Sequence, residues 1–173
     1  MIKHKKSIIT DYAELKKMID AHRILGHKVV CTVGSWDMLH IGHLRYLIKA
    51  KELGDVLVVG VDSDRGIKLY KNPLRPVIPQ EERMDMLKYQ DCVDYVTLVD
   101  DIDEKGRWQY ELAKVINPDV FITVEDSYPE EQMNALKTYS KEVVMLPRQA
   151  ESTSTTNIIE KTMIFSKCLT ENE

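Results

Sequence analysis

Short apolar runs alternate with amphipathic stretches along the chain, and this alternation limits the fold more than any other feature. The runs predict strands over residues 28–33, 56–61, 95–99, 120–124 and 142–146. Helical spacing or capping signals predict helices near residues 12–19, 44–48, 79–87, 108–116, 129–139 and 157–165. Strands joined by helices of this length form βαβ units, which build a parallel sheet with right-handed crossovers. We predict an α/β, doubly wound fold with a five-stranded parallel sheet and an additional N-terminal helix.

The domain organisation follows from the same pattern. The chain has 173 residues, and no repeat, linker or low-complexity segment interrupts it. We predict a helical extension over residues 1–27, packed on a single domain over residues 28–173. The last predicted helix carries Asn157 and Glu160 at the spacing of a capping box.

Charge and cysteine content exclude several classes of protein. The net charge of -4 gives no basic field for nucleic acid. The longest apolar run, residues 56–61, is far too short to cross a membrane, and the basic start of the chain has no apolar stretch behind it. Three scattered cysteines, Cys31, Cys92 and Cys168, form neither a disulfide framework nor a zinc knuckle. We therefore expect a cytoplasmic protein with no nucleic-acid or membrane partner.

The segment after the first long strand holds the strongest chemical signal. Parallel sheets of this kind bind ligands beyond the carboxyl ends of their strands. His40 and His43 lie three residues apart, so they share one face of the first turn of the next helix. Gly42 keeps that turn bare, which favours the approach of an anion to the free backbone N–H groups. The alternatives are an exposed histidine pair beside a turn, or a metal site for which no third ligand has a recognisable spacing.

The residues of this segment carry a family resemblance. The dinucleotide fingerprint G-x-G-x-x-G and the phosphate loop G-x-x-x-x-G-K-[ST] are both absent. Gly34-Ser-Trp-Asp37 followed by His40-Ile-Gly-His43 resembles the H-x-G-H signature of the Rossmann-like, cytidylyltransferase-like nucleotidyltransferases. Further positions match in the family's order at Leu53-Gly54-Asp55, Val61-Asp62, Lys71, Arg75-Pro76, Glu82-Arg83, Asn117-Pro118 and Ser154-Thr155-Thr156. Within the family, the chain most resembles bacterial heptose-1-phosphate adenylyltransferases, and next glycerol-3-phosphate cytidylyltransferases.

The resemblance implies a reaction and its partners. A nucleoside monophosphate would pass from a nucleoside triphosphate, ATP by preference, to a small sugar or polyol phosphate such as a heptose 1-phosphate, with release of pyrophosphate. Mg²⁺ would arrive with the triphosphate, and the chain would form a homodimer. The alternatives are a cytidylyltransferase acting on glycerol phosphate or a similar acceptor, and a non-catalytic nucleotide-binding regulatory module.

The resemblance also assigns roles to residues. His40, His43 and Lys71 would be catalytic, and no residue would ligate a metal. The nucleotide-binding positions would be Gly34, Ser35, Asp37, Gly42, Arg83, Ser154, Thr155 and Thr156. A salt bridge on a helix surface would account for Arg83 almost as well, and helix capping would account for one residue of the hydroxyl cluster.

Three features depart from the family or invite another interpretation. Val124 and Glu125 replace two glycines that heptose enzymes carry after the fourth long strand, which affects contacts to the base. Trp36 stands where the family has Phe, and we expect it to fill the core. The acidic stretch over residues 100–104 could suggest a metal cluster, but a solvated acidic loop is the favoured interpretation.

Overall fold

The computed structural model describes residues 7–125 and 127–170, which form one sheet with helices on both faces. The strands within these residues are β1 (Ser7–Ile8), β2 (Val29–Gly34), β3 (Val56–Asp62), β4 (Tyr95–Val99), β5 (Val120–Val124) and β6 (Glu142–Leu146). The helices are α1 (Tyr12–Ile24), α2 (Ile41–Lys51), α3 (Asp64–Tyr70), α4 (Gln80–Lys88), α5 (Glu111–Ile116), α6 (Glu130–Tyr139) and α7 (Thr155–Thr170).

The strand order places a crevice at the end of β2. All strands pair in parallel, in the order β1-β4-β3-β2-β5-β6. From β2 the chain first winds towards β3 and β4, and then returns to the other side of β2 to form β5 and β6. The direction of winding therefore reverses beside β2, and such a reversal opens a crevice at the carboxyl ends of the strands. The loop after β2 and the start of α2, which carry the two histidines, lie at this crevice.

The predicted class is confirmed, but the sheet has six described strands rather than the five predicted. The added strand, β1, pairs with β4 through Ser7 opposite Tyr95 and Ile8 opposite Val96. Two residues are too few to show an alternating pattern, so no strand signal is visible there in the sequence. Helix α3 was also not predicted. Its N-terminus is capped by Ser63, whose hydroxyl accepts a hydrogen bond from the backbone N–H of Gly66 at 3.0 Å.

The core has two layers, one on each face of the sheet. Helices α1, α5 and α6 cover one face, with Leu15, Ile19 and Leu112 fully buried there. Helices α2 and α4 cover the other face, with Leu47 and Leu87 fully buried. The segment predicted as an N-terminal extension thus contributes both an edge strand and core side chains, in addition to the predicted helix.

Helix α7 closes the described part of the chain. It begins at Thr155, and the Ser154 hydroxyl accepts from the backbone N–H of Asn157 at 3.1 Å. The predicted capping box at Asn157 and Glu160 is therefore wrong, because Ser154, three residues earlier, is the cap. No helix among residues 7–125 and 127–170 combines the length and apolar character needed to cross a membrane.

Candidate active site

A cleft of about 920 Å³ opens at the carboxyl ends of β2, β3 and β5. It takes in the loop after β2, the end of α3 and the start of α7. Nine of the predicted site residues line it, namely Gly34, Ser35, His40, Gly42, His43, Lys71, Ser154, Thr155 and Thr156. Asp37 and Arg83, the other two predicted residues, are not among its lining residues.

His40 caps the N-terminus of α2. Its Nδ1 accepts a hydrogen bond from the backbone N–H of Gly42 at 3.1 Å. A backbone N–H can only donate, so Nδ1 carries no proton and the proton of the neutral ring is on Nε2. The sequence could not specify this tautomer. The cap leaves Nε2–H of His40 as a hydrogen-bond donor.

His43 stacks on His40 in the first turn of α2. The ring centroids are 3.9 Å apart with an interplanar angle of 23°, and the Trp36 ring meets His43 edge-on at 5.4 Å. Burial, helped by the charges of His40 and Lys71, lowers the pKa of His43 to about 3. Burial also lowers the pKa of His40. Both rings are thus neutral at neutral pH, suited to donate hydrogen bonds to an anion rather than to carry charge.

The structure shows a second reason for a glycine at position 42, which is close packing inside the protein rather than the approach of an anion. A Cβ at this position would lie 3.0 Å from the His40 ring and 3.1 Å from the Cβ of Ala150. Any larger residue would push the cap ring or the loop before α7 out of place. The glycine therefore permits close packing of His40 and Ala150 around the first turn of α2.

Lys71 reaches the loop after β2 from the end of α3. Its Nζ donates to the Ser35 hydroxyl at 2.8 Å, and burial lowers its pKa. The two residues, 36 positions apart in sequence, thus meet in the cleft as predicted site residues. Lys68, one turn earlier on α3, is not among the cleft residues.

Asp37 is a structural anchor rather than a wall of the cleft. Its side chain is fully buried and accepts from the backbone N–H groups of Val77 and Ile78 at 3.1 Å and from Nε of Arg75 at 2.7 Å. Its carbonyl accepts from the Thr155 hydroxyl at 2.8 Å. The predicted contact with nucleotide is therefore at odds with this geometry, because both carboxylate oxygens are engaged within the protein.

Arg83 is a second anchor, and it too departs from its predicted role. Its side chain is fully buried. The guanidinium donates to the carbonyls of Ser35, Ile78 and Asp62, and to the Asp64 carboxylate at 2.6 Å. All three nitrogens are engaged by protein oxygens, so the fully buried side chain is turned away from a nucleotide, and its salt bridge to Asp64 is buried at the arginine rather than on the helix surface. It fastens together three segments that border the cleft.

The hydroxyl cluster at the start of α7 divides into different functions. Ser154 caps the helix, and Thr155 donates to the carbonyl of Asp37. Thr156 is exposed, lines the cleft and makes no hydrogen bond through its side chain within the described part of the chain. Of the three, Thr155 has used its only proton, whereas the Ser154 hydroxyl, which only accepts, and the Thr156 hydroxyl can still donate to a ligand in the cleft.

Several cleft residues were not predicted as site residues. Arg75 lines the cleft beside Lys71. The Tyr70 hydroxyl donates to Asp62 Oδ2 at 2.6 Å, and burial raises the pKa of both groups. The Tyr128 hydroxyl donates to the carbonyl of Val33 at 3.2 Å. Aromatic residues and arginines outside a short motif carry no signal of their own in one sequence, although Arg75 did lie in a matched stretch.

The predictions for Trp36 and the acidic loop have different outcomes. Trp36 is buried as expected, and its indole N–H donates to the carbonyl of Gly60 at 2.8 Å.

The acidic loop over residues 100–104 is not simply solvated. Asp100 accepts from Arg65, Asp101 accepts from the backbone N–H of Glu111 at 2.7 Å, and Asp103 accepts from Arg107. These carboxylates hold the loop and the start of α5.

Comparison with known proteins decides the family. The sequence model for cytidylyltransferase-like proteins matches residues 31–161, from β2 into α7. The chain belongs to the cytidylyltransferase-like family. This confirms the predicted family and, with it, the class of nucleotidyltransferases.

The cytidylyltransferase-like chain is similar to part of several longer proteins. The bifunctional protein HldE of a Nitratiruptor species is 38% identical over 157 residues, which cover 90% of this chain and 32% of that protein. The bifunctional protein HldE of Helicobacter hepaticus is 43% identical over 133 residues, covering 77% of this chain and 26% of that protein. The chain thus spans a third or less of the length of these curated relatives.

Two solved structures share the fold. A lipopolysaccharide core biosynthesis protein from Thermoplasma volcanium superposes with a TM-score of 0.59 at 24% identity, over 72% of this chain and 100% of that one. Pantoate-beta-alanine ligase from Francisella tularensis, solved with a β,γ-ATP compound and beta-alanine, superposes with a TM-score of 0.58 at 15% identity, over 93% of this chain and 78% of that one. At these identities the likeness establishes the fold.

Proposed function

We propose that the chain transfers the adenylyl group of ATP to the phosphate of a small sugar or polyol phosphate, such as a heptose 1-phosphate, and releases pyrophosphate. The observation that carries the proposal is the stacked pair of neutral histidines at the start of α2, facing the same cleft as Lys71 and the start of α7. Hydrogen-bond donors, a cation and a helix N-terminus then converge on one space, which is the arrangement that binds a chain of phosphates.

The reaction needs no basic side chain. A phosphate oxygen of the acceptor, already anionic at neutral pH, forms a bond to the α-phosphorus of ATP. The bond from that phosphorus to the bridging oxygen of the β-phosphate breaks, and pyrophosphate carries away the electron pair. Catalysis then consists of alignment and of stabilising negative charge as it shifts between oxygens.

The proposed residue roles follow from which groups are available in the cleft. Nε2–H of His40 donates to an oxygen of the transferring phosphoryl group, and His43, also neutral, acts beside it. Lys71 and Ser35 bind further phosphate oxygens, as do the Ser154 and Thr156 hydroxyls at the start of α7. Gly34 brings the backbone close to the ligand. Because the imidazoles of His40 and His43 are neutral, they can donate hydrogen bonds without the desolvation cost of a buried charge.

Magnesium enters this proposal with the triphosphate. Among residues 7–125 and 127–170, no group of three or more His, Cys, Asp or Glu side chains is arranged to hold a metal ion. Mg²⁺ keeps water ligands readily and binds phosphate oxygens well. When bound, it supplies neutralisation of phosphate charge, and we propose that its ligands are largely triphosphate oxygens and water.

The choice of ATP and of a heptose-like acceptor is supported by the relatives. The HldE proteins described above are 38% and 43% identical to the chain over the matched residues, and the chain carries the leading helix and the Arg75-Pro76 turn of the adenylyltransferases it resembles. The predicted cytoplasmic location, the homodimer and the domain boundary at residue 27 remain predictions.

The test is a matrix of triphosphates and acceptors. ATP, CTP, GTP and UTP would each be incubated with magnesium and a panel of sugar and polyol phosphates, with pyrophosphate release as the measurement. We expect release with ATP and a sugar phosphate. Release with CTP and glycerol 3-phosphate instead would replace the adenylyl assignment by the cytidylyl one, and triphosphate binding without turnover on any acceptor would favour a regulatory module.

A further inference from the structure

Arg75 lies in the wall of the cleft with its orientation fixed from behind. Its side chain is only 15% exposed, and its Nε donates to Oδ2 of Asp37 at 2.7 Å. Arg75 also lines the cleft close enough to Lys71 for its charge to contribute to the lowered pKa of that lysine. Two cations from one loop region therefore face the same space.

Asp37 is held firmly enough to fix this orientation. Its carboxylate is fully buried and also accepts from the backbone N–H groups of Val77 and Ile78. Its carbonyl accepts from Thr155 at the start of α7. A carboxylate held by several donors cannot swing away with the arginine, so the guanidinium edge that carries Nε stays on the protein side.

The outer edge of the guanidinium is left for another partner. Within residues 7–125 and 127–170, the terminal amino groups of Arg75 form no hydrogen bond. A guanidinium presents five N–H donors in a rigid plane, and two of them on one edge match two oxygens of a phosphate. A mostly buried arginine at the wall of a cleft, with one of its five N–H groups bonded within the described protein, is thus arranged to receive an anion.

We propose that Arg75 is a further phosphate-binding residue of the cleft and that Asp37 is the positioning residue that aims it. The proposal deepens the proposed function, on which it rests, by adding a contact to the phosphates of that reaction. The phosphate belongs either to the triphosphate and its pyrophosphate product, or to the acceptor. The chemistry shared by these sources is a pair of phosphate oxygens bound by a guanidinium.

The first experiment measures binding directly. Wild type, R75Q and R75K would be titrated calorimetrically with magnesium ATP and with inorganic pyrophosphate. R65Q is the matched control, since Arg65 is a half-exposed arginine of α3 that pairs with Asp100 and does not line the cleft. We expect R75Q to weaken pyrophosphate and ATP binding by about 10- to 100-fold, R75K to recover only part of the loss, and R65Q to bind as wild type.

A second set of measurements determines whether Arg75 binds a phosphate of the triphosphate or the phosphate of the acceptor. If Arg75 holds the acceptor, R75Q would leave ATP and pyrophosphate affinity unchanged and raise the KM for the acceptor phosphate by a similar factor. Unchanged affinity for ATP and pyrophosphate, together with unchanged KM for the acceptor, would overturn the proposal. Denaturant melts without ligand accompany each variant, so that a loss of fold is not mistaken for a loss of binding.

The positioning role of Asp37 has its own signature. D37N keeps an oxygen for the backbone N–H groups but removes the charge that holds Nε of Arg75. If Asp37 acts through Arg75, D37N weakens phosphate binding and adding D37N to R75Q causes little further loss. Additive losses would contradict the positioning role, and should D37N not fold, the partial recovery in R75K tests the same geometry.

Failure of this proposal and failure of the proposed function give different results. If wild type binds pyrophosphate but transfers no nucleotide, the proposed function is wrong, and the role of Arg75 is still tested by the binding measurements. A chain that transfers adenylyl groups equally well with R75Q would keep the function and remove the proposal. Wild type that binds neither ATP nor pyrophosphate would overturn both.

Discussion

At the scale of single residues, the histidine pair acts through neutral donors fixed by the first turn of α2. We predict that His40→Ala and His43→Ala each reduce turnover on the order of 10²–10³-fold, the cost of losing a preorganised donor to a developing oxyanion. His27→Ala, at the opposite end of β2, is the matched control and should keep full turnover. Pyrophosphate release under saturating substrate measures the effect, and a folded alanine variant with wild-type turnover would contradict the role of that histidine.

The lowered pKa of His43 predicts a specific dependence of stability on pH. The ordinary histidine pKa of 6.5 falls to about 3 in the folded chain. Between these values the unfolded chain holds a proton that the folded chain does not, so acid favours unfolding. The stability that neutral His43 contributes is present above pH 6.5 and is lost as the pH falls towards 3.

A comparison with His43→Asn isolates this dependence. As the pH falls below the unfolded pKa, the unfolding free energy of wild type should decrease relative to that of the variant by on the order of 1 kcal/mol per pH unit. Denaturant melts of both proteins from about pH 7.5 to about pH 5 measure it, and other titrating groups cancel in the difference. A difference that stays constant over this range would show that His43 titrates normally.

At the scale of elements, the start of α7 contains both a helix cap, Ser154, and a hydroxyl that lines the cleft, Thr156. We predict that Thr156→Val weakens magnesium ATP binding while changing the unfolding free energy by less than about 0.5 kcal/mol, because its hydroxyl has no partner in the described protein. Thr162→Val is the control, since that hydroxyl donates to the carbonyl of Ile158 outside the cleft. Calorimetric titration and denaturant melts separate the effects, and equal ATP affinity in wild type and Thr156→Val would leave the cluster a purely structural role.

The long elements could be predicted from sequence, whereas the short ones could not. β3 and β5 are continuous apolar runs buried on both faces, so composition alone marks them. β1 has two residues, and its existence depends on an open edge of β4 that the sequence does not reveal. α3 begins with charged residues, and its inward face is reduced to Gly66 and Ile67. Local pattern therefore fails where pairing and packing decide the structure.

The site could be predicted in position but not in orientation. The histidines, Lys71 and the hydroxyls follow strand ends, and parallel strands bring their ends together. Asp37 and Arg83 lie in the same stretches, yet their side chains are turned into the protein, where backbone donors and carbonyls satisfy them. One sequence shows the residue type and its place along the chain. The direction of a side chain depends on partners that lie up to 48 residues away.

At the scale of the whole molecule, the N-terminal segment is part of the folding unit. Leu15 and Ile19 of α1 are fully buried against the same face of the sheet as α5 and α6. We predict that Leu15→Ala lowers the unfolding free energy by about 2–5 kcal/mol, the cost of emptying a core position. Met18→Ala, on the same helix but 41% exposed, is the control. Urea melts measure both, and a loss below about 1 kcal/mol at Leu15 would show that α1 contributes little to the stability of the fold.

The hydrogen bonds of Arg83 to backbone carbonyls determine which positions around the cleft can accept substitutions. Its guanidinium holds the loops around the cleft through the carbonyl oxygens of Ser35, Asp62 and Ile78. Every amino acid supplies the same carbonyl, so these positions can exchange their side chains without loosening the clamp. Two of them, Ser35 and Asp62, face the cleft. Scaffold and chemistry are thereby decoupled: a library randomised at these two positions should yield many folded variants, although those that replace Ser35 lose the hydroxyl that Lys71 contacts.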